Sequence, residues 1–476
     1  RYFTEVSAGV LSALGIQVYI FDDLRPTPVV SFAVRQLGCK AGIMITASHN
    51  PPEYNGYKVY GDDGGQLISP DDKAVIEKVK QITDPAMIDF GSDASLIKVL
   101  NQEFDRLYLD AVLSQRLSAD IIARQKDLKI VFTLIHGTTV SLGPAALRAY
   151  GFEQVFSVPE QDVVSGDFPT VVSPNPEEPA ALKMAIERGR GLNADLIMGT
   201  DPDGDRVGLV IRDLQGEYVL LNGNQTASLM IWYLLEQWKQ REKFQGGEFI
   251  VKTIVTSGLL KKLAEAYGIE CFDVLTGFKY IAEIIRRLEG KQQFIAGGEE
   301  SYGYLVGDYV RDKDAIVSCC IMAEAAAWAR DQGKSLYELL IDMYMRFGLY
   351  VENLVSITKK GKAGLEEIQA IMDKWRHQQP DSIAGKRIVL VRDYASAEEK
   401  DLLSGVVRDM GLPASNVLQF VLEDGSLITM RPSGTEPKIK FYFGVQTILN
   451  DKEAYQARRT EAEEQINALI RAMDID

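Results

Sequence analysis

Short apolar runs alternate with amphipathic helical segments along most of the chain, and this alternation is the feature that most restricts its fold. In three consecutive stretches, an apolar run ends in a Gly-rich or Asp-rich loop and a helical pattern follows. The order of strand, polar loop and helix is typical of α/β domains, in which such loops lie at the ends of the strands. The repeated rhythm therefore predicts three similar α/β domains with mixed sheets.

The rhythm changes near residue 347. Residues 416–422, 427–431 and 438–445 are three closely spaced strand patterns joined by tight turns, which predicts antiparallel pairing and an α+β domain. A length of 476 residues accommodates four domains. We predict their bounds as residues 1–118, 119–222, 223–346 and 347–476.

The amino end has an unusual order of elements. Residues 2–14 have a helical pattern, and a strand pattern follows at residues 18–21. A helix that opens a parallel α/β unit normally follows a strand. We therefore expect a further segment on the amino side of Arg1.

The charge balance restricts the partners. The chain carries 67 acidic and 52 basic residues, a net charge of −15, with no Lys/Arg-rich tract. This argues against nucleic-acid partners and anionic membranes, and it means that a phosphate site must concentrate cations locally. The four cysteines have neither metal-type nor disulfide-type spacing, as expected of a reduced protein of the cytoplasm. No apolar run is long enough to span a bilayer.

A reactive loop is predicted at residues 45–58, ITASHNPPEYNGYK. An apolar run ends there in hydroxyl, imidazole and amide groups, and Ser48 is the candidate nucleophile, with His49 beside it. The Asn55-Gly56 turn brings Lys58 back towards the same end of the strand. The alternative is an ordinary turn serine.

A second loop carries Asp201, Asp203 and Asp205 at alternate positions. Carboxylates at this spacing can converge on Mg²⁺ or Ca²⁺. An EF-hand is excluded because Arg206 and Arg212 stand where that loop needs Gly and Glu. The alternative is a solvated acidic turn, but three neighbouring carboxylates repel one another unless something neutralises them.

Two further loops carry polar groups suited to a sugar phosphate. Residues 297–303, GGEESYG, follow a short strand pattern and supply Glu299 and Ser301 as acceptors for hydroxyl groups, while the nearby segment at 276–279 adds Thr276, Gly277 and Lys279. Residues 431–438, RPSGTEPK, combine a guanidinium, hydroxyls and backbone N–H groups, which favours phosphate binding over a plain hairpin turn. The expected contacts of that loop are Arg431, Ser433, Gly434 and Thr435.

Together, the four loops resemble those of the α-D-phosphohexomutase superfamily in order and approximate spacing. The resemblance implies four domains around a central active-site cleft. Ser48 would be the phosphorylated residue and, with Asp201, Asp203 and Asp205, would hold one Mg²⁺ per chain. Glu299 and Ser301 would read the sugar, and the loop from Arg431 to Thr435 would hold the phosphate that does not react.

The balance of charge at such a site is informative. Three carboxylates, one phosphoserine and Mg²⁺ sum to about −3, which would repel a phosphate substrate. Cations must therefore complete the balance. Arg206 and Lys58 are the candidates.

Within the superfamily, the GEESYG version of the sugar loop resembles the glucose-preferring members. The run at residues 308–314, DYVRDKD, is similar to phosphoglucomutases and their phosphoglucomutase-2-like branch, which makes Lys313 an expected substrate contact. The implied reaction interconverts glucose 1-phosphate and glucose 6-phosphate, with glucose 1,6-bisphosphate as intermediate and activator, in a monomer or homodimer. Alternatives are a phosphopentomutase, a phosphomannomutase or a non-catalytic sugar-phosphate-binding protein.

Two features depart from the resemblance. Tyr309 stands where some phosphoglucomutases have a histidine, so the general base is open; Lys58 is the first candidate, because nearby positive charge could lower its pKa. The second is the amino end, where the family has its first strand and an Arg-Gly loop at the active site.

Overall fold

The computed structural model describes residues 1–50, 53–359, 361–433 and 437–475, with residue 362 described in its backbone alone. The chain divides into two compact units. The first comprises Arg1–Lys252, Tyr267–Phe272 and Gly277–Leu339. The second comprises Thr253–Ala266, Asp273–Thr276 and the chain from Leu340 onward.

The amino-terminal part of the first unit has helices and strands in alternation, as predicted. They are α1 (Tyr2–Ala13), β1 (Val18–Phe21), α2 (Thr27–Leu37), β2 (Gly42–Ile45), β3 (Tyr57–Tyr60), α3 (Asp71–Lys80), β4 (Ile97–Leu100), α4 (Gln102–Leu113) and α5 (Ala119–Arg124). The strands form two separate pairs, β1 with β4 in parallel and β2 with β3 antiparallel. In the second pair Met44 lies opposite Lys58, so the turn after the serine loop brings the lysine back beside the strand that leads to Ser48.

The next stretch forms one mixed sheet. Its elements are β5 (Ile130–Thr133), α6 (Leu142–Tyr150), β6 (Val155–Ser157), α7 (Lys183–Leu192), β7 (Leu196–Thr200), β8 (Val207–Arg212) and β9 (Tyr218–Leu221), with strand order β6-β5-β7-β8-β9. β5 is parallel to β6 and β7, whereas β8 is antiparallel to both of its neighbours. β7 is buried along its whole length, so its polar continuation at Asp201 emerges at the edge of a rigid sheet.

A third sheet has the order β11-β10-β12-β13. The elements of this stretch are α8 (Gly223–Gln240), β10 (Glu248–Thr253), α9 (Leu259–Tyr267), β11 (Glu270–Val274), α10 (Phe278–Leu288), β12 (Gln293–Gly298), β13 (Tyr304–Val306), α11 (Ala315–Asp331) and α12 (Leu336–Phe347). β10 and β12 are parallel, and β13 returns antiparallel to β12. The predicted α/β class of these three stretches is thus confirmed.

The carboxyl-terminal part is antiparallel, as predicted. Its elements are β14 (Leu349–Thr358), α13 (Gly361–His377), β15 (Ser382–Ile383), β16 (Lys386–Asp393), β17 (Glu398–Asp401), β18 (Val407–Asp409), β19 (Leu418–Leu422), β20 (Leu427–Pro432), β21 (Lys438–Thr447) and α14 (Tyr455–Ala472), arranged as an eight-stranded sheet with two helices. Strands β19 to β21 were predicted from the sequence, whereas β14 to β18 were not. The sequences of β17 and β18 are EEKD and VRD. They lack the alternation of apolar and polar residues by which a strand is predicted.

None of the four cysteines, all of which lie in the described part of the chain, forms a disulfide; Cys319 and Cys320 are buried, whereas Cys39 and Cys271 are partly exposed. Within the described part of the chain, no helix combines the length and apolar character needed to cross a membrane.

Candidate active site

Ser48 lies in the loop after β2 and has a left-handed backbone conformation, with φ of 55°. A residue with a side chain adopts this conformation at an energetic cost, and such strain is concentrated at functional sites. The Ser48 amide donates to Thr46 Oγ1 at 2.9 Å. The Ser48 hydroxyl donates to Asp201 Oδ2 at 3.2 Å and lies 3.1 Å from His49 Nδ1. The loop therefore holds the hydroxyl against the aspartate loop.

The three aspartates occupy a tight loop between β7 and β8. They are almost fully buried, with exposed fractions of 0% for Asp201 and 2% for both Asp203 and Asp205. Asp201 Oδ1 accepts hydrogen bonds from the amides of Asp205 and Arg206, each at 3.0 Å. Gly204 has φ of 66°, and a Cβ there would lie 2.6 Å from Thr139 Cγ2. Only glycine suits that position, so the turn keeps the carboxylates together.

Three cations neutralise this cluster. Lys58 Nζ lies 2.8 Å from Asp203 Oδ2 and 3.9 Å from Asp205 Oδ2. Lys313 Nζ lies 3.2 Å from Asp205 Oδ2, and Arg206 follows Asp205 directly. Lys58 and Arg206 are the cations predicted from the sequence to balance the charge. Lys313 was expected to contact substrate and here also pairs with Asp205. Three positive charges thus face three negative ones.

The pKa values of Asp201 and Asp205 are shifted in opposite directions within the cluster. Burial, followed by the charges of Asp205 and Asp203, raises the pKa of Asp201. Burial acts in the same direction on Asp205, but Lys313, Lys58 and Arg206 outweigh it and lower the pKa of that carboxyl. Asp201 is therefore the carboxyl of this pair that holds a proton more readily.

The expected lowering of the Lys58 pKa is wrong. Burial acts to lower it, but the charges of Asp203 and Asp205 outweigh burial, and the pKa of Lys58 is raised. Lys58 is therefore a persistent ammonium rather than a base in this arrangement. Burial, with the charge of Arg206 as the next cause, lowers the pKa of His49 to about 4. His49 is a neutral imidazole at neutral pH.

The donor set suits a hard cation. The hydroxyl of Ser48 and the carboxylates of Asp201, Asp203 and Asp205 are all oxygen donors, which Mg²⁺ prefers. Asp205 Oδ1 is buried without a hydrogen-bond partner, and a cation would satisfy it. Among the described residues, however, no group of three or more His, Cys, Asp or Glu side chains is already arranged as a metal site. Lys58 and Lys313 take up oxygens that a metal would use.

Arg206 has a partner that the sequence analysis missed. Arg206 Nη1 donates a hydrogen bond to Glu177 Oε1, and both side chains are partly buried, with exposed fractions of 20% and 28%. Arg206 Nε is buried without a hydrogen-bond partner. Glu177 therefore orients the guanidinium and leaves one donor unused. The only sequence signal was an acidic residue in the proline-bounded turn before α7, which is too common to single out.

The predicted sugar loop follows β12. Glu299 is buried and its Oε1 accepts a hydrogen bond from the amide of Gly277 at 2.9 Å. Ser301, in the same loop, is partly exposed. A Cβ at Gly303 would lie 2.0 Å from Lys313 Cδ, so this glycine lets the stem of Lys313 pass. The loop and the aspartate cluster thus share Lys313.

The predicted site residues do not all belong to the unit that contains this cluster. Thr276, Arg431 and Ser433 belong to the second unit, and Gly434 and Thr435 lie outside the described residues. Lys279 belongs to the first unit, where its Nζ lies 3.9 Å from Asp72 Oδ2 and 5.4 Å from the ring centroid of Tyr280. In β20 Arg431 lies opposite Lys440 of β21.

Tyr309, the residue at the departure from the family pattern, has a structural place. Its hydroxyl donates to Asp314 Oδ2 at 2.5 Å, and Tyr108 donates to the same oxygen at 2.7 Å. Its ring also lies 6.4 Å from that of Phe32. Tyr309 therefore links Tyr108 of α4 to Asp314 at the start of α11.

Comparison with known proteins agrees with this arrangement of loops. Models of the phosphoglucomutase/phosphomannomutase domains match the chain in order: α/β/α domain I at residues 1–86, domain II at 106–216, domain III at 222–347 and the C-terminal domain at 355–460. A phosphoglucomutase of Staphylococcus epidermidis is 40% identical over 444 residues, which cover 92% of this chain and 80% of that protein. A phosphoglucomutase of Staphylococcus aureus is 38% identical over 447 residues, covering 93% and 79%.

Solved structures show the same fold. The open form of the Paramecium phosphoprotein pp63/parafusin, a phosphoglucomutase, superimposes with a TM-score of 0.72 at 18% identity, covering all of this chain (100%) and 86% of that one. A phosphoglucomutase/phosphomannomutase family protein of Burkholderia thailandensis has a TM-score of 0.61 at 19% identity, covering 94% and 82%.

Proposed function

This chain belongs to the phosphoglucomutase/phosphomannomutase family and is an intramolecular phosphotransferase, and on that premise we propose that it is a Mg²⁺-dependent phosphoglucomutase. Its substrates would be glucose 1-phosphate and glucose 6-phosphate. The observation that carries the proposal is the Ser48 hydroxyl 3.2 Å from Asp201 Oδ2, inside a cluster of three carboxylates and three cations. Phosphoryl transfer depends mainly on positioning and charge stabilisation, which this cluster supplies.

The cycle starts from phosphorylated Ser48. The bond from phosphorus to Ser48 Oγ breaks as a bond forms to the free hydroxyl oxygen of the sugar phosphate. That hydroxyl loses its proton, Ser48 Oγ gains one, and glucose 1,6-bisphosphate results. The bisphosphate then reorients within the site, and its other phosphoryl group is transferred back to Ser48 Oγ. The same compound can therefore prime an unphosphorylated chain.

The cations of this chain stabilise the transferring group. Lys58 and Lys313 already lie against Asp203 and Asp205, and Arg206 has an unused donor at Nε. Asp201, Asp203, Asp205 and the Ser48 side chain would hold one Mg²⁺, which would supply Lewis-acid stabilisation of the phosphoryl oxygens. With Mg²⁺ and the phosphoserine added, the charges of Lys58, Lys313 and Arg206 would bring the cluster from about −3 close to neutrality, which would lessen its repulsion of an anionic substrate.

The geometry favours His49 as the acceptor of the proton that Ser48 Oγ loses when a phosphoryl group is transferred to it. Its Nδ1 lies 3.1 Å from Ser48 Oγ, and its lowered pKa keeps the imidazole neutral. Lys58 holds its proton because its pKa is raised. In the loose transition state of phosphoryl transfer, the attacking hydroxyl loses its proton late, so a weak base is sufficient.

The remaining loops would recognise the sugar phosphate. Glu299 and Ser301 would accept hydrogen bonds from glucose hydroxyls, with Thr276, Gly277 and Lys279 as neighbouring contacts. Arg431, Ser433, Gly434 and Thr435 would hold the phosphate that does not react. We propose a cytoplasmic location because none of the four cysteines, all in the described part of the chain, forms a disulfide.

A coupled assay tests the proposal. Glucose 6-phosphate formation from glucose 1-phosphate is measured with Mg²⁺ and a catalytic amount of glucose 1,6-bisphosphate, for the wild type, Ser48→Ala and the exposed control Ser92→Ala. The wild type and the control should turn over, Ser48→Ala should lose activity by at least about 10³-fold, and the Ser48 peptide should gain about 80 Da. Full activity of Ser48→Ala would refute the scheme.

The same experiment separates the alternatives. Mannose 1-phosphate and ribose 1-phosphate replace the glucose substrate in parallel assays, and a higher kcat/KM for either would identify a phosphomannomutase or a phosphopentomutase. Release of inorganic phosphate at the rate of substrate loss would indicate a hydrolase. Thermal stabilisation by sugar phosphates without turnover would indicate a non-catalytic binding protein. Sedimentation would decide between monomer and homodimer.

A further inference from the structure

The aspartate loop between β7 and β8 is held through its backbone as well as through its side chains. Three consecutive carbonyl groups of the loop each accept a hydrogen bond from the amide of the first residue of a helical segment. The donor and acceptor pairs are Thr138 with Pro202 at 3.0 Å, Thr27 with Asp203 at 2.8 Å and Ala315 with Gly204 at 3.1 Å. Thr27 and Ala315 begin α2 and α11. The position of the loop therefore depends on where these helices start.

The start of α11 contacts this loop at two points. The amide of Ala315 donates to the Gly204 carbonyl. The ammonium of Lys313 lies 3.2 Å from Asp205 Oδ2, and 12% of the lysine side chain is exposed. Asp314 stands between Lys313 and Ala315 in the sequence and is fully buried. A shift of Asp314 would therefore displace both the backbone of the loop and one of the cations that balance its charge.

Asp314 uses its two carboxylate oxygens differently. Oδ1 accepts hydrogen bonds from the amides of Ile316 at 2.8 Å and Val317 at 3.2 Å, and so caps α11. Oδ2 accepts hydrogen bonds from the hydroxyls of Tyr108 at 2.7 Å and Tyr309 at 2.5 Å. A buried carboxylate oxygen without donors carries a large desolvation cost. The place of Asp314, and with it the first turn of α11, therefore depends on the two tyrosines.

The two tyrosine side chains are held against α2. The ring centroid of Tyr108 lies 5.7 Å from that of Phe32 and 6.3 Å from that of Tyr309, and the ring centroid of Tyr309 lies 6.4 Å from that of Phe32. Tyr108 is completely buried. Packing of this kind restricts the rings, so the two hydroxyls have fixed directions. The same helix holds the aspartate loop through Thr27, so one element positions both the loop and the tyrosines.

We propose that Tyr108 and Tyr309 are a pair of positioning residues for phosphoryl transfer. Through Asp314 they fix the first turn of α11, and that turn places the ammonium of Lys313 and the contact with Gly204. Neither hydroxyl contacts substrate, because both are directed at Asp314. A displacement of about 1 Å in a group that acts on the reacting atoms slows a reaction by about 10²-fold. The inference rests on the proposed function and extends it to two side chains outside the aspartate cluster.

Removal of the hydroxyls tests this role. The variants are Tyr108→Phe, Tyr309→Phe and the double variant, which keep the rings and remove one or both donors. The matched control is Tyr150→Phe, because Tyr150 is also buried and its hydroxyl donates to the carbonyl of Val112 in α4 at 2.9 Å. kcat and KM for glucose 1-phosphate are measured with saturating Mg²⁺ and glucose 1,6-bisphosphate. Amide hydrogen exchange at Ala315 is measured in the same proteins without substrate or metal.

The effects of the two hydroxyls should be coupled, because either one alone leaves a donor on Asp314 Oδ2. Each single variant should lower kcat by about threefold to fivefold, and the double variant by about 10²-fold, which is more than the product of the single effects. KM should change by less than about twofold in all three, because no contact with substrate is removed. Exchange at the Ala315 amide should accelerate by about tenfold or more in the double variant, whereas Tyr150→Phe should change neither kcat nor this exchange.

Three results would overturn the proposal: a double variant that retains the wild-type kcat, one that loses no more activity than Tyr150→Phe, and a fall in kcat without any change in exchange at Ala315. If the double variant does not fold, the single variants decide. A reduced kcat with faster exchange at Ala315 in both supports the proposal, and wild-type values in both overturn it. Exchange needs no turnover, so an inactive wild type would refute the proposed function, while faster exchange would still show that the tyrosines hold the aspartate loop.

Discussion

Lys58 and Asp203 form an ion pair 2.8 Å long, in which the lysine side chain is 24% and the aspartate side chain 2% exposed. The other oxygen of the same carboxylate accepts a hydrogen bond from Thr46. Both oxygens of Asp203 are thus already engaged. A divalent cation entering the cluster must compete with a lysine of the protein.

Lys58→Met should therefore separate metal affinity from activity. Removing the ammonium frees Asp203, so we expect Mg²⁺ to bind about tenfold more tightly by titration calorimetry. Turnover should fall on the order of 10²–10³-fold, because a cation that stabilises the transferring phosphoryl group is lost. Lys73→Met, at an exposed position of α3, is the matched control and should change neither quantity. Unchanged turnover in Lys58→Met would remove this lysine from the reaction.

Mg²⁺ binding should depend on pH through Asp201. Its carboxyl has a raised pKa caused by burial and by Asp205 and Asp203, and it must be deprotonated to bind a metal. Below that pKa the proton opposes the cation, so affinity should tighten as pH rises from about 5 to 9 and binding should release a proton. Calorimetry in buffers of different ionisation enthalpy measures this release. Asp201→Asn should abolish it and the exposed Asp167→Asn should preserve it; equal release in both variants would contradict the assignment.

The left-handed backbone conformation of Ser48 should lower the free energy of unfolding of the protein. Its φ of 55° is readily adopted by glycine but not by alanine. Ser48→Gly should therefore be more stable than Ser48→Ala by about 1 kcal/mol in urea unfolding. At the exposed Ser92 the order should reverse or vanish, since no positive φ is recorded there. If Ser48→Gly were the less stable of the two, the strain would be absent from the folded protein.

Glu324 should make stability depend on pH. It is fully buried in α11, its Oε1 accepts from the Leu117 amide at 2.9 Å, and burial raises its pKa to about 7. In the unfolded chain its pKa returns to about 4.3, so between these values the folded state binds more protons. Stability should thus fall as pH rises from about 4.5 to 7, by at most about 3 kcal/mol. Thermal unfolding of Glu324→Gln should lose this dependence, while the exposed Glu160→Gln should keep it; a dependence that persists in Glu324→Gln would assign it to other groups.

The parts of the site that the sequence predicted are those carried on single short loops. Ser48 and His49 are neighbours, and Asp201, Asp203 and Asp205 share one turn held by Gly204. Residues this close along the chain remain close whatever the rest of the fold does. The antiparallel carboxyl-terminal strands were predictable for a similar reason, because their apolar alternation and tight turns are local features.

Contacts between distant residues were beyond such reasoning. Glu177 and Arg206 are 29 positions apart, and Thr46 and Asp203 are 157 apart. The direction of the Lys58 pKa shift depends on the distance from its ammonium to Asp203, which no pattern in the sequence encodes. The division of the amino-terminal strands into two pairs also follows from their tertiary placement.

The balance of charge in the aspartate cluster bears on the order of folding and metal binding. Its three carboxylates, Asp201, Asp203 and Asp205, are matched by three cations, Lys58, Arg206 and Lys313. A cluster of buried carboxylates without counter-charges would be too costly to bury until a cation bound, so folding around it would depend on the ion. Here the polypeptide supplies its own counter-charges, so the chain can fold before an ion binds. Under the proposed function, Mg²⁺ would bind to the folded chain, and the supply of the cation would set the fraction of folded molecules that are active.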